Sequence, residues 1–186
     1  MAPPGTPRSS WLEAGLRALA AGGPEAVRVE ALARELGVTK GGFYRRFRDR
    51  AALLEGMLDA WRTGRIAAIE QQARLAGSSP RDRLASLIRL YSERTNTEGM
   101  AIELAIRQWA QSDEMAAEAV ASVDAPRLKN VAQLYRASGL ASEAAEAQAF
   151  LFYCFVFGQS LLFLERGQRK RAQLIAKSAE KLIEQS

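Results

Sequence analysis

The sequence predicts an all-α protein of about nine helices, arranged as a three-helix N-terminal domain and a longer helical C-terminal domain. Three observations predict this fold class. Helix-favouring Ala, Leu, Glu, Gln and Arg dominate the 186 residues, and only six prolines are present. Apolar residues recur three and four positions apart, as on one face of a helix. Gly, Pro and Ser separate these periodic stretches, and no stretch shows the alternation of a strand.

The first helix is predicted to begin at Ser10, whose side chain would cap it, and Glu13 would complete a capping box. Gly22–Gly23–Pro24 is expected to end this helix, because glycine and proline follow helix C-termini. Residues 1–8 precede the helix and are predicted to be a flexible arm. The apolar face of the helix is predicted to hold Leu12, Leu16 and Leu19.

Two short helices follow, and the turn between them is informative. One is predicted to cover Val29–Leu36, and Gly37 gives the backbone the freedom that a tight turn needs. Thr39 is predicted to cap a third helix that reaches Phe47. Two short helices joined in this way have the arrangement of a helix-turn-helix.

The remaining chain is predicted to form six more helices. Asp49 is expected to cap the fourth helix, and Asp113 and Ser142 the seventh and eighth. Pro126 is expected to interrupt or bend the seventh helix. The predicted ranges are Asp49–Ala76, Pro80–Thr95, Glu98–Gln111, Asp113–Ser138, Ser142–Arg166 and Arg169–Glu184.

Positive charge is concentrated near the N-terminus. Residues 1–50 hold nine Lys or Arg and five acidic residues, whereas the rest of the chain holds 17 and 16, for a net charge of +5. This distribution indicates either an anionic partner for the first segment or a solvated basic surface. We place the domain boundary at residue 50, so that the two domains cover residues 1–50 and 51–186.

The third predicted helix separates buried aromatic residues from a polar face. Phe43 and Phe47 are four residues apart and are expected to point inward. Tyr44 adjoins Phe43 and is therefore expected on the exposed side. Cations and hydroxyls there suit DNA phosphates, and longer side chains reach base edges. The alternative is an ordinary helical hairpin with a basic surface. The exposed face is predicted to hold Lys40, Gly41, Tyr44, Arg45 and Arg48.

The segment Val29–Phe47 resembles the signature of the tetracycline-repressor (TetR) family of bacterial regulators. That signature is similar to L-A-x-x-L-G-V-[ST]-x-[GA]-x-[FL]-Y-x-[HY]-F, followed by x-[DNS]-[KR]-x-x-L. The detailed resemblance covers about residues 10–55, and the helical remainder agrees in architecture. The matching residues are Leu32–Ala33, Leu36–Thr39, Gly41, Phe43–Tyr44, Phe47, Asp49–Arg50 and Leu53.

The resemblance implies a role in DNA binding for each matching position. Thr39 and Tyr44 would contact backbone phosphates, and Lys40 would contact a phosphate or a base edge. Gly41 would let the helix approach the DNA closely. Arg50 would hold a phosphate together with the free amides at the start of the fourth helix.

Some positions depart from the family pattern. Gly42 stands where the family often has Ser, Thr or Ala, and it offers no side chain to a base. Arg46 stands where the family often has His or Tyr. These departures favour readout by Arg and Lys, so Arg45 is the candidate for contacting guanine. Arg28, at a position where the family often has Thr, is a candidate for a phosphate contact.

The resemblance also implies a dimer interface in the C-terminal domain. The eighth predicted helix carries apolar residues around its whole circumference, so both of its sides must be covered. One side is expected to pack within the subunit, and the other to join the ninth helix in a four-helix interface between two copies. The alternative is a central helix in the core of a monomer. The predicted interface residues are Phe152, Phe155, Phe163, Leu174 and Leu182.

The same domain would enclose an effector pocket in the family architecture. The candidate residues are mostly aromatic and uncharged, which suits a lipophilic or flat aromatic molecule, although each can equally be an ordinary core residue. Glu103 and Arg107, four residues apart, are interpreted as a solvated ion pair. The candidate ligand-binding residues are Trp61, Tyr91, Gln108, Trp109, Tyr153 and Phe157, with Gln159 as a further polar contact.

Missing residue types exclude much chemistry. The chain has no histidine and one cysteine, Cys154, so it has no Ser-His-Asp triad, no Cys-His pair and no His- or CxxC-type metal site. We expect no enzyme activity, no cofactor and no metal. We find no secretory signal and no apolar run long enough for a bilayer, so we expect a cytoplasmic protein without membrane contact.

Together, the residues and the resemblance predict a ligand-responsive DNA-binding transcriptional regulator. It would be a repressor that binds a palindromic double-stranded DNA operator as a homodimer, and a small lipophilic or aromatic effector would release it. One alternative is a regulator of the same fold without a small-molecule effector. The other is a helical ligand-binding protein that does not use its helix-turn-helix.

Overall fold

The computed structural model of the chain describes residues 6–73, 79–92, 97–162 and 168–184. These ranges are almost entirely helical and contain no strand, which confirms the predicted all-α fold. A single turn of 3₁₀ helix, Pro24–Ala26, follows the first α-helix. The α-helices of the described part are α1 (Arg8–Gly22), α2 (Val29–Glu35), α3 (Lys40–Tyr44), α4 (Arg50–Ala73), α5 (Pro80–Ser92), α6 (Thr97–Trp109), α7 (Glu114–Ala137), α8 (Ser142–Leu161) and α9 (Gln168–Glu184).

The chain divides into two compact units. The first comprises Met1–Ala67 and Asn96–Val123, and the second comprises Ala68–Thr95 and Asp124–Ser186. The first unit therefore holds the three predicted N-terminal helices together with α6. Helices α4 and α7 each contribute residues to both units. The functional boundary at residue 50 stays a prediction.

Apolar side chains fill the interior of the first unit. Trp11 of α1 and Phe43 of α3 are completely buried, and α1 packs along α6 and against α2. Burial of a large apolar side chain stabilises a fold by roughly 1.5–3 kcal/mol, so these two residues make a large contribution. Around them lie Leu19, Val27, Leu32, Leu53, Met57 and Ile106.

In the second unit, α5 packs against α8 and α9. The buried Tyr135 of α7 donates a 3.1 Å hydrogen bond from its hydroxyl to the Leu182 carbonyl of α9. Gln148 Nε2 donates to the same carbonyl over 3.2 Å. Burial raises the pKa of Tyr135 to about 12, and its hydrogen bond with Gln148 acts in the opposite direction. The core also contains Leu84, Ile88, Val131, Ala149, Phe152 and Val156.

Two predicted helix caps are confirmed. Asp49 Oδ1 accepts a 2.8 Å hydrogen bond from the Ala52 amide at the start of α4. Asp113 Oδ1 accepts a 2.9 Å bond from the Ala116 amide at the start of α7. Each carboxylate satisfies an amide that the first helical turn leaves without an intrahelical partner.

Two other predicted caps are wrong. Helix α1 begins at Arg8, before Ser10, and Pro7 precedes it without a side-chain cap. Proline suits a helix start because it has no amide hydrogen to satisfy. Helix α8 begins at Ser142 itself, so that residue lies within the first turn. Its hydroxyl lies 3.3 Å from the side chains of Arg136 and Glu146 instead.

The predicted interruption at Pro126 is also wrong, because α7 continues through it as a single helix. A proline inside a helix removes one hydrogen bond and costs about 3 kcal/mol. Val123 and Val131, on either side of Pro126, are completely buried. Tertiary packing on both sides therefore offsets the local cost.

Two helices end earlier than the sequence predicts. Helix α3 ends at Tyr44 instead of Phe47, although the Phe47 amide still donates to the Phe43 carbonyl over 3.0 Å. Helix α8 ends at Leu161 instead of Arg166, because Leu162 has an extended backbone. No helix among the described residues is both long enough and apolar enough to cross a bilayer.

Candidate nucleic-acid interface and effector site

Aromatic packing fixes the position of α3 in the first unit. The rings of Trp11 and Phe43 meet edge to face with their centroids 5.3 Å apart, and Phe47 stacks on Phe43 at the same separation. Both phenylalanines are buried, as the sequence predicts. Sequence reasoning missed Trp11, because it followed the leucines of α1. The signal was a second set of residues at helical spacing, Trp11, Ala14, Gly15 and Leu19, all of which are buried.

The turn before α3 has the predicted geometry. Gly37 has a φ of +66°, in the left-handed region that favours glycine. The Val38 amide donates to the Ala33 carbonyl over 2.9 Å. Thr39 occupies the N-cap position of α3, but the predicted side-chain cap is wrong, because the Thr39 side chain makes no capping hydrogen bond. Its exposed hydroxyl therefore lies on the surface at the point where α3 begins.

One side of α3 faces solvent. Tyr44 is 61% exposed although it adjoins the buried Phe43. A Cβ atom at Gly41 would meet only the Thr39 hydroxyl, at 3.6 Å, so the surface there is open. The predicted separation of a buried and an exposed face is confirmed. The exposed residues are Lys40, Gly41, Tyr44, Arg45 and Arg48.

Lys40 pairs with α2. Its Nζ lies 2.5 Å from Glu30 Oε1. The hydrogen bond between these groups raises the pKa of Lys40 and lowers the pKa of Glu30. Both side chains are more than half exposed, and exposed ion pairs contribute little because water and salt screen them. A phosphate that binds Lys40 would therefore displace a weak partner.

Arg50 stabilises the turn before α2. Its Nε donates a 2.8 Å hydrogen bond to the Val27 carbonyl, and its Nη2 donates to the Pro24 carbonyl. Arg28 lies on the same segment and is exposed, with its Nε donating to the Glu25 carbonyl over 3.2 Å. Sequence reasoning missed this structural role of Arg50, because nothing local relates it to the turn. The phosphate contacts of Arg28 and Arg50 stay predictions.

The carboxylate of Asp49 caps the start of α4, where the sequence predicts a phosphate site. Asp49 Oδ1 accepts from the Ala52 amide, and Asp49 Oδ2 accepts from Arg48 Nε over 2.8 Å. The Ala52 amide and then Arg48 lower the pKa of Asp49. One of the free amides that the sequence assigned to a phosphate is therefore occupied.

A notch of about 190 Å³ lies beside α3. Arg46 Nε donates a 3.1 Å hydrogen bond to the Thr6 carbonyl, so Arg46 fixes the segment before α1. The Arg8 guanidinium carbon lies 4.9 Å from the centroid of the Phe47 ring and holds the same segment. The residues that line the notch are Thr6, Val38, Thr39, Gly42, Arg45 and Arg46.

The interpretation of Glu103 and Arg107 as a solvated pair is wrong. The Glu103 side chain is 3% exposed, with its Oε1 lying 2.9 Å from Arg107 Nη2 and its Oε2 lying 3.3 Å from Arg65 Nε of α4. Arg65 also donates to the Gly99 carbonyl over 3.2 Å. Glu103 therefore joins α6 to α4 within the first unit. The i,i+4 spacing could not reveal a partner from another helix.

Three predicted ligand-binding residues belong to the first unit. Trp61 of α4 and Trp109 of α6 are buried, whereas Gln108 is exposed. Trp61 Nε1 makes no hydrogen bond to any residue that the structure describes. The role of these residues as ligand contacts stays a prediction.

The other three predicted residues come together in the second unit. The rings of Tyr153 and Phe157 stack on α8 with centroids 6.0 Å apart. Tyr91 of α5 meets Tyr153 edge to face at 6.4 Å. Sequence reasoning missed Arg127 of α7, whose guanidinium carbon lies 5.9 Å from the centroid of the Phe157 ring. Arginine side chains are normally exposed, so no local feature of the sequence indicates that this one is buried.

The residues predicted for the dimer interface lie in different environments. Phe152 is completely buried in the core of the second unit, so its assignment to the interface is corrected: it has no surface left for a partner. Phe155 and Leu182 are partly buried against the same core. Leu174 of α9 is 54% exposed. Phe163 lies outside the described residues.

Another side of α8 is apolar and exposed. Phe150, in the middle of α8, and Leu162, directly after its last residue, are 62% and 64% exposed. Leu151, Cys154 and Leu161 lie between them, three and seven residues apart, and these spacings bring side chains to the same side of a helix. We call this the α8 stripe, and it consists of Phe150, Leu151, Cys154, Leu161 and Leu162.

The described helices and the exposed face of α3 have the architecture of an all-α protein with an N-terminal helix-turn-helix. Residues 12–57 match the model of the family described as bacterial regulatory proteins, tetR family. The predicted resemblance to the TetR family is confirmed over these residues. No curated protein sequence is significantly similar to the chain.

Solved structures share the fold over nearly the whole chain. The regulatory protein TetR from Rhodobacter sphaeroides is 23% identical with a TM-score of 0.68, and the match covers 95% of each chain. A TetR-family regulator from Agrobacterium tumefaciens is 15% identical with a TM-score of 0.77, covering 96% of each. A protein described as a transcriptional regulator from Saccharomonospora viridis, in complex with choline, is 18% identical with a TM-score of 0.77, covering 95% of each. At these identities the likeness shows the fold alone.

Proposed function

We propose that this protein is a ligand-responsive transcriptional repressor, which binds a palindromic operator as a homodimer and is released by a small effector. The observation that carries the proposal is the exposed face of α3, where Tyr44 projects to solvent beside the buried Phe43. An exposed aromatic hydroxyl among cations suits a DNA backbone. A protein with this function acts where DNA is present, in the cytoplasm, and needs no catalytic activity.

The exposed residues of α3 would make two kinds of contact with DNA, to backbone phosphates and to bases. The hydroxyls of Thr39 and Tyr44 are exposed and would contact phosphate oxygens, and the exposed Lys40 would add a cation. Arg45 follows Tyr44 at the end of α3 and is exposed, so it is our candidate for guanine readout. Gly41 leaves room for the DNA to approach.

Arg28 and Arg50 would contribute at the edge of this surface. Arg28 is exposed, so a phosphate contact requires only a side-chain rotation. Arg50 is anchored to the Pro24 carbonyl, and its main contribution would be to hold the α2 start in place. Charge at both positions adds to the salt-dependent part of DNA affinity.

The α8 stripe would form the dimer interface, together with Leu174 of α9. Large apolar side chains exposed in a row mark an association surface, and a closed dimer buries the same surface on both copies. A symmetric dimer presents its two recognition helices one DNA turn apart, about 34–36 Å, which fits an inverted repeat.

An effector would act by favouring one arrangement of the DNA-binding helices. Helix α4 runs without interruption from Arg50 to Ala73, and the Glu103 cluster joins it to α6 at Arg65. A ligand shifts the equilibrium between two arrangements only by its difference in affinity for them. The choline complex of the Saccharomonospora viridis protein supports ligand binding on this fold.

The proposal is tested by electrophoretic mobility shift with DNA from the promoter region of its own gene. Tyr44→Ala and Arg45→Ala are compared with the wild type, and Arg89→Ala serves as the control because Arg89 is exposed on α5, outside the first unit. We expect a discrete, salt-sensitive shift that the control keeps and both α3 variants lose. A shift that all four proteins share equally would contradict the assignment of α3.

A further inference from the structure

A row of five residues along one side of α8 has a spacing that is symmetric about Cys154. The steps between neighbouring members are three, four, four and three residues, so all five lie on the same side of the helix. Three of them belong to the α8 stripe, and the other two are small residues beside it. We call this the symmetric row, and it consists of Ala147, Phe150, Cys154, Gly158 and Leu161.

Members of the symmetric row at equal distances from Cys154 differ in size. Phe150 lies four positions before Cys154 and Gly158 four positions after it, whereas Ala147 lies seven before and Leu161 seven after. Phe150 and Leu161 are each 62% exposed. Apart from its chain neighbours and the backbone of α8, no described atom lies within 4 Å of the place that a Cβ atom at Gly158 would occupy. Each large side chain is therefore matched by a small residue at the mirror position.

This pattern fits a second α8 that runs in the opposite direction. A two-fold axis beside Cys154 would reverse the row, so that residues at mirror positions share one layer of the contact. Phe150 would fill the open space beside the partner's Gly158, and Leu161 would lie beside the partner's Ala147. Layers that combine a large and a small side chain fill the space between two helices without voids.

A parallel pair of α8 helices would pack poorly. Each residue would then lie beside its own copy, so that two Phe150 rings crowd one layer and two Gly158 residues leave a gap in another. Crowding forces side chains out of their preferred rotamers, and a gap removes contacts between atoms. The row therefore favours the antiparallel direction.

Charge at the two ends of α8 favours the same direction. Glu143 is exposed in the first turn of α8. At the other end, Arg171 Nη2 donates a 2.6 Å hydrogen bond to the Gln159 carbonyl, which places the start of α9 beside the end of α8. Arg169 and Lys170 are exposed at that start. An antiparallel pair brings the acidic start of each α8 towards the basic start of the partner's α9, whereas a parallel pair brings like charges together.

We infer that two copies of this chain pair through antiparallel α8 helices, with the two-fold axis beside Cys154 and Phe150 packed on Gly158 of the partner subunit. The inference rests on the proposed function in taking the α8 stripe as the dimer interface. It adds the direction and the register of the pairing. It also assigns a role to Gly158, which leaves the space that the partner's Phe150 fills.

Disulfide crosslinking of the full-length protein, without DNA, tests the direction and the register. The sequence has one cysteine, and a disulfide forms only between residues whose Cα atoms lie within roughly 7 Å. Oxidation with copper phenanthroline is expected to join two copies through Cys154. In a Cys154→Ser background, Ala147→Cys is expected not to crosslink, because its two copies would lie about 21 Å apart along the helices. Adding Leu161→Cys to that variant is expected to restore the crosslink.

Two outcomes of the crosslinking overturn the inference. Crosslinking through Ala147→Cys alone would show that the helices are parallel. Failure of Cys154 to crosslink in a sample that sedimentation velocity shows to be dimeric would show that the two-fold axis lies elsewhere.

Substitution of Gly158 tests the contact with Phe150. Gly158→Leu is expected to raise the dissociation constant of the dimer at least about tenfold, because it overfills the layer, and adding Phe150→Ala is expected to restore part of the affinity. Gly64→Leu is the matched control, because Gly64 is exposed on α4 and a Cβ atom there is equally unobstructed among the described residues. Neither leucine is expected to lower the midpoint of thermal unfolding, since leucine favours a helix more than glycine does. Sedimentation velocity measures the dissociation constants, and an unchanged constant for Gly158→Leu overturns the inference.

These tests separate the inference from the proposed function, because they need no DNA. A dimer that crosslinks through Cys154 but binds no operator supports the pairing and contradicts the regulator. Operator binding by a dimer that crosslinks through Ala147→Cys alone supports the regulator and overturns the antiparallel pairing. A chain that is monomeric at every concentration overturns the pairing together with the homodimer.

Discussion

Phe43 and Tyr44 are neighbours in α3 with opposite environments: Phe43 is completely buried, and Tyr44 is 61% exposed. Their rings meet edge to face at 5.2 Å. One residue therefore connects α3 to the core, and the next presents a hydroxyl to solvent. The pair allows stability and DNA binding to be tested separately with two adjacent substitutions.

Phe43→Ala is expected to lower the free energy of unfolding by roughly 3–5 kcal/mol, because it removes the ring that contacts both Trp11 and Phe47. Tyr44→Ala is expected to change it by no more than about 0.5 kcal/mol, yet to abolish operator binding. Urea denaturation measures the first quantity and fluorescence anisotropy with labelled DNA measures the second. A large loss of stability in Tyr44→Ala would contradict the exposed position of its side chain.

Gly37 and Gly42 form a second pair with opposite expectations. Gly37→Ala is expected to cost about 1 kcal/mol, because Gly37 has a φ of +66°. Gly42→Ala is expected to stabilise the fold by up to about 1 kcal/mol, since a Cβ there meets Val38 and Trp11 only at van der Waals distance, 3.9 to 4.0 Å. Thermal and urea unfolding of both variants provide the comparison. Equal effects of the two substitutions would contradict the assigned backbone geometry.

Glu103→Gln is expected to destabilise the protein by roughly 3 kcal/mol, because it leaves Arg65 and Arg107 partly buried without their shared carboxylate. Glu98→Gln is the control, since Glu98 is exposed on the same helix. The midpoint of urea unfolding measures both changes. An unchanged midpoint for Glu103→Gln would show that the cluster contributes nothing to joining α4 and α6.

Leu151→Glu is expected to convert a dimer into a monomer at micromolar concentration, because it places a charge within the α8 stripe. Gln133→Glu, at an exposed position of α7, is the control. Sedimentation velocity measures the oligomeric state. The Cys154 thiol, which lies on the same stripe, is expected to react with a thiol reagent more slowly in the dimer. A wild-type protein that is monomeric while bound to DNA would exclude this interface.

Tyr135 gives the protein a defined response to alkali. Because burial raises the pKa of Tyr135 to about 12 from 10.0, the unfolded chain loses the phenolic proton first, and stability falls as the pH rises from 10 to 12. Tyr135→Phe removes this contribution to the pH dependence and the hydrogen bond to Leu182. Urea unfolding at pH 8, 10 and 11 compares the two proteins. Identical slopes with pH would contradict the burial of the hydroxyl.

Local sequence signals were sufficient for several features of the helix-turn-helix. The carboxylate of Asp49, the glycine at Gly37 and the spacing of Phe43 and Phe47 each determine a feature through contacts within a few residues. These signals operate over one helical turn, so the sequence displays them directly. The same holds for the exposure of Tyr44.

Contacts between distant elements could not be predicted. Glu103 is buried because Arg65 approaches it from another helix, and Arg127 is buried beside Phe157, thirty positions further along the chain. Phe152 was assigned to an interface because α8 is apolar all round, and only the packed structure distinguishes its core side from its exposed stripe. The charge and hydrophobicity of a residue do not identify the distant residue against which its side chain packs.

Selection of binding sites from a pool of random double-stranded DNA is the decisive test of whether the protein is a dimeric regulator that reads DNA through α3. We expect the wild type, but not Tyr44→Ala, to enrich an inverted repeat whose half-site centres lie about one DNA turn apart, 10–10.5 base pairs. Failure to enrich any sequence, or equal enrichment by Tyr44→Ala, would contradict a dimeric regulator that reads DNA through α3.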